Sequence, residues 1–194
     1  MFHRLSAALF AGALALLVTG CAEKEPAVPD ALAECIITGE EAPEWVCGIN
    51  AMPEGTLTAV GSEPFRRLGN EFARNEALAH ARAQLQQTIR ANVYANIQHF
   101  ARAVGEKAGS IADRHADEIA GRVADESIGG ARQIKFWKHP KNGTVYVLLA
   151  VSRYQINDRV KKALLSEYKS SDEAYKTFEE ADGEETLEEH FPIR

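Results

Sequence analysis

The chain has 194 residues, of which 26% are charged and 45% hydrophobic, with a net charge of −6. That length and mixture suit one domain with one core rather than a disordered or fibrous chain. The charge is uneven: residues 172–194 hold nine acids and two bases, and residues 21–171 hold nineteen of each sign. A neutral body with an acidic tail excludes nucleic acid, which needs a basic stripe, and argues against attraction to anionic lipid through net charge.

The first twenty residues read as a leader. Arg4 supplies one positive charge, Leu5–Val18 is an uncharged apolar run, and small residues precede Cys21. This order is that of a secretory signal peptide, and the run is short for a membrane span. Leu17-Val18-Thr19-Gly20-Cys21 resembles the lipobox of bacterial lipoproteins, with Leu17 one place further upstream than usual. The resemblance implies cleavage before Cys21 and acylation of that cysteine, with two or more acyl chains giving a stable anchor. Ala22 after it implies sorting to the outer membrane.

Residues 22–34 contain two prolines, no aromatic residue and four acids with one base. They read as a flexible tether between lipid and domain. Cys35 and Cys47 remain after Cys21, and an even count in an oxidising compartment predicts a disulfide; the alternative is two free buried thiols. No His or further Cys lies near enough in sequence to complete a zinc site, so no metal is expected. Between the cysteines Trp45 is a candidate core plug.

Thr56–Ser62 alternates Leu57, Ala59 and Gly61 with β-branched residues between them and is the first predicted strand. From Asn70 to Val104 the spacing predicts a long helix with Asn70 as its cap. Leu78, Leu85, Ile89, Val93, Ile97, Phe100 and Val104 mark one face, with Ala73, Ala77 and Ala81 beside it. A break is expected near Gly105 or Gly109, and a second helix over 110–127. Ile134, Phe136 and Trp137 lie in a strand that turns through Asn142-Gly143, a hairpin signal because both residues tolerate positive φ. Thr144–Val151 follows, apolar on both faces, and reads as a central strand covered on each side. A last helix is expected over 158–168, capped by Asn157. The acidic tail, 171–194, reads as disordered or frayed helix.

The order strand, long helix, hairpin, helix predicts an α+β domain over 35–170: a small three-stranded sheet with helices packed on it. Pro43-Glu44-Trp45-Val46, Ala59-Val60-Gly61, the ladder Ala73, Ala77, Ala81-Arg82, and the hairpin residues Trp137, Gly143 and Tyr146-Val147-Leu148 carry a family resemblance. With Cys21 they resemble the twenty-kilodalton membrane-associated bacterial lipoproteins (LPP-twenty type) over residues 43–165. That resemblance implies a periplasmic α+β domain on the outer membrane, in a family that includes flagellar lipoproteins assembling around the motor. The chain departs from the pattern in the Cys35/Cys47 pair, in the enlarged helical section at 91–127 and in the acidic tail.

No nucleophile elbow, zinc-protease motif, P-loop or dinucleotide fingerprint is present. His80, His99 and His115 lie in helices without partners at metal-binding spacing, and Asp113 and Asp117 flank His115 on other sides of the helix. Ser62 ends a strand with no His beside it in sequence. Arg66-Arg67 could hold an anion, though such pairs are usually solvated. No catalytic residue and no cofactor is therefore expected. Trp137 and Tyr146 are the candidate partner contacts. The expected role is an envelope binding or assembly module that meets the membrane through its lipid and envelope proteins or itself through its surface. Peptidoglycan or another glycan is the alternative ligand.

Overall fold

The computed structural model describes residues 34–49, 53–65 and 69–193. Cys21, the leader, residues 22–33 of the tether and Arg66-Arg67 lie outside the described residues.

Four-residue spacing organises the longest element. Helix α1 (Asn70–Ala103) buries Ala73, Ala77, Ala81, Leu85, Ile89, Val93, Ile97 and Ala101. A step of four turns roughly 400° at about 100° per residue, so the buried stripe drifts around the helix instead of staying on one side. The small residues of the first turns face the sheet, and the larger ones face other helices. Leu78, expected on the buried face, is half-buried at its margin. Asn70 is the first helical residue and not the cap, a place held by Gly69. The Asn70 side-chain oxygen instead accepts from Lys138 Nζ at 2.8 Å.

The chain reverses at Val104-Gly105 into α2 (Glu106–Ile128). Gly109 packs directly against the Ala101 carbonyl, where a side chain would not fit. The break thus falls where the two glycines predicted it.

Three strands form the main sheet: β3 (Thr56–Glu63), β4 (Arg132–Lys138) and β5 (Val145–Ser152), in the order β3-β5-β4 with both pairings antiparallel. β3 and β4 therefore run the same way on either side of β5, and α1 with α2 makes the crossover between them. The central place of β5 follows from its apolar residues on both faces. Val145, Val147, Leu149 and Val151 belong to the main core, which α1, α2 and the helix over Arg153–Tyr168 share. Leu148, on the other face, is covered by Trp45. The architecture is the expected α+β sheet-and-helix fold.

The hairpin turn differs in detail from its sequence signal. Only Gly143 has a positive φ (73°), and Asn142 is not among the positive-φ residues. Asn142 contributes its side chain instead, accepting from the Thr144 amide at 2.9 Å. The turn is closed by His139 N to Thr144 O, 2.8 Å, and Gly143 N to His139 O, 3.0 Å.

Two expectations for the C-terminal third are corrected. Helix α3 spans Arg153–Tyr168 and starts straight after β5, because Ser152 Oγ accepts from the Gln155 amide. Asn157 is consequently inside the helix, buried, and donates to Pro192 O at 2.8 Å rather than capping. The segment 171–194, expected to be disordered or frayed, forms α4 (Asp172–Glu179) and α5 (Gly183–His190). Phe178, Leu187 and Phe191 are buried in the main core. Phe178 stacks on Tyr168 with centroids 4.3 Å apart, and Phe191 and His190 meet Phe100 at 6.1 and 6.0 Å. All nine acids of the segment are exposed. The physical reason is amphipathicity: acids stay in water while a few large apolar side chains are removed from it, each worth about 1.5–3 kcal/mol.

Candidate functional site

Residues 34–49 form a strap on the sheet face opposite the main core. β1 (Ile36–Ile37) pairs antiparallel with β2 (Glu40–Glu41), and a 3-10 turn (Glu44–Cys47) follows. Cys35 and Cys47 are joined by a disulfide, with Cα atoms 5.7 Å apart. Cys35 is buried and Cys47 exposed. The closed loop presents Trp45, 6% exposed, to Leu148. Val46, Val60, Trp137 and Tyr146 complete this small apolar cluster, which is separate from the main core.

His139 ties the strap to the hairpin. It is 1% exposed, and its Nδ1 accepts from the Lys141 and Asn142 amides at 3.2 and 3.3 Å. That arrangement leaves Nε2 to donate, and it does so to Ile37 O at 2.9 Å. Lys141 also ion-pairs with Glu40. Sequence reasoning passed over His139, whose only signal was its place at the mouth of an Asn-Gly turn.

The structure brings Trp137 and Tyr146 together. They are cross-strand partners in β4 and β5, with ring centroids 5.3 Å apart and planes at 41°. Trp137 also meets the His139 ring edge-on at 5.5 Å. Both are half-buried, each with one side in the strap cluster and one side reaching solvent. The more exposed apolar residues of β4 are their neighbours: Phe136 at 50% and Ile134 at 41%. Ile134 is an extra residue, since Gln133 pairs with Leu149 and Lys135 with Leu148. Such a bulge has no clear mark in a single sequence.

The other candidates are dispersed. Ser62 is exposed, and His80 Nδ1 donates to its backbone carbonyl at 2.9 Å, not to its hydroxyl. His115 lies 3.7 Å from Glu167, which also sits 3.9 Å from Arg122. Asp117 instead pairs with Arg90 at 2.9 Å. His99 is exposed and contacts Arg102. A polar groove of about 500 Å³ opens between α2 and α4, lined by Lys107, Arg114, His115, Glu167 and Ser171 among others. Among the described residues, no group of three or more His, Cys, Asp or Glu side chains is placed to hold a metal ion. No described helix is long and apolar enough to cross a membrane.

No protein-family model matches the chain, and no curated protein matches it.

Proposed function

We propose that the protein is a lipid-anchored lipoprotein of the outer membrane whose periplasmic domain works by protein–protein contact in the envelope, as a binding or assembly module rather than an enzyme. The observation that carries this reading is Leu17-Val18-Thr19-Gly20-Cys21 at the end of an uncharged apolar run. The resemblance to the LPP-twenty type lipoproteins points the same way. A disulfide between Cys35 and Cys47 suits an oxidising compartment. Contact between copies and association with the flagellum both belong to this reading.

The test has two arms. Cells expressing the native protein and Cys21→Ala are labelled with radioactive palmitate and fractionated. Label and membrane association should both depend on Cys21; a native chain without label, or with its leader still attached, ends the anchoring half. Cross-linking in intact cells should then trap the domain with an envelope protein or a second copy. A strict monomer with no adduct ends the contact half.

A second reading, binding of peptidoglycan or another glycan, draws on the half-exposed Trp137–Tyr146 ring pair, a surface on which a sugar can stack. Co-sedimentation of the native protein with purified peptidoglycan, lost on Trp137→Ala, would favour it over protein contact.

A further inference from the structure

β4 is an edge strand: in the order β3-β5-β4 it pairs with β5, and among the described residues no strand lies on its other side. Such an edge offers unpaired backbone donors and acceptors to any extended chain that fits beside it. The side chains along it are of two kinds. Ile134 and Phe136 are exposed and apolar, and Arg132, Lys135 and Lys138 are exposed and cationic.

Helix α1 adds a fourth cation. Arg74 donates to Gln133 Oε1 at 2.9 and 3.2 Å, which places its guanidinium 5.9 Å from the centre of the Phe136 ring. Lys138 Nζ lies 4.8 Å from the Phe65 ring while donating to Asn70. Amide oxygens and aromatic faces therefore hold these two cations. Between α1 and β4 runs a groove of about 260 Å³ lined by Asn70, Glu71, Arg74, Gln133 and Phe136. Glu71 is its single carboxylate against Arg74, so the edge as a whole is positive.

We infer that the open edge of β4 receives an extended segment of a partner protein, rich in acidic and apolar residues, added as a fourth strand. This names the partner chemistry of the contact-module reading and rests on it. Charge selects this occupant over a second β4. Two β4 edges paired antiparallel about Lys135 would set Lys135 against Lys135 and Arg132 against Lys138, and like charges directly opposite destabilise a ladder. The bulge at Ile134 also spoils a flat edge for self-pairing. An acidic partner removes the repulsion, while Phe136 and Trp137 offer apolar contact on the two faces of the strand. Trp137 thereby keeps the contact role expected of it, with Phe136 as the residue the sequence reading did not single out.

The experiment uses the full mature protein, extracted in neutral detergent, and fluorescence anisotropy of three labelled synthetic peptides. The first alternates Glu with Val and Phe. The second replaces Glu by Lys. The third keeps the first sequence and methylates alternate backbone nitrogens, which blocks strand pairing but keeps the charge. The first should bind saturably, at least roughly tenfold tighter than either of the others. Lys135→Glu, at an exposed edge position, should weaken it by a similar factor. No binding of the first peptide, equal binding of the lysine or methylated peptide, or indifference to Lys135→Glu would each overturn the inference. A photo-cross-linker at position 136 and another at exposed position 94, in cells, separate this from the broader reading. Adducts from 94 and none from 136 sink the edge inference alone, and adducts from neither sink the contact module itself.

Discussion

Gly61 of β3 lies against the backbone of Ala77 on α1, so close that a Cβ on Gly61 would overlap the Ala77 carbonyl and come within 2.8 Å of Ala81 Cβ. The helix can rest on the sheet there because three small residues meet. Gly61→Ala should therefore lower stability by about 1–3 kcal/mol, and Gly61→Val by more, since overpacking forces the backbone apart. Urea unfolding followed by circular dichroism measures it. A change below about 0.5 kcal/mol, the scatter of surface substitutions, would show that the contact is loose.

The disulfide and Trp45 form a unit on the face away from the helices. Closing a loop of this length is worth about 3 kcal/mol in the chain-entropy model. Treating the folded protein with a dithiol should shift tryptophan emission to the red as the strap loosens. The helical circular dichroism should persist, because the main core does not depend on the strap. Loss of both signals together would make strap and core one cooperative unit.

Tyr168 is fully buried, and its hydroxyl donates to Ala108 O at 2.8 Å. Burial pushes this hydroxyl well above its ordinary value of about 10, since a buried phenolate is costly. The unfolded chain then loses the proton first as pH rises. The contribution is complete below about pH 10 and is lost progressively above it. Tyr168→Phe should cost about 1 kcal/mol at neutral pH and flatten part of the alkaline fall. Urea midpoints of both proteins from pH 7 to 11 test the sign.

Phe178 ties the acidic segment to the core through Tyr168. Phe178→Ala should cost about 3–5 kcal/mol. Removing residues 172–194 should leave an aggregating product, since it uncovers Tyr168 and Phe100. A truncated protein as soluble and stable as the native one would return the segment to the status of a tail.

Much of the fold was legible because local pattern and tertiary role coincide. The alternation of Thr56–Ser62, the four-residue steps of α1 and the two-sided apolar run of β5 each mirror the surfaces packed against that element. The failures share a cause. In 171–194 the nine acids dominate any local count, while Phe178, Leu187 and Phe191 sit in separate short elements without a common period. Their partners, Phe100 and Tyr168, are distant in sequence. Asn70 and Asn157 carry the chemistry of caps, but each was taken by a tertiary bond, to Lys138 and to Pro192. At the candidate site, Trp137 and Tyr146 could be paired from hairpin register. The exposure of Phe136 and Ile134 depends on a bulge and on how far α1 reaches over β4.

The burial of Phe191 and the bond from Asn157 to Pro192 O also set an order of events. A ribosome makes the chain from the amino end, so Phe191 and Pro192 are made after the strands and helices they close over. Until Phe178 and Phe191 have emerged, Phe100 and Tyr168 lack these partners and the helices cannot seal. A nascent chain is thus held back from completing this core until Phe191 has emerged, and one that stops before it carries an open core for proteases to find.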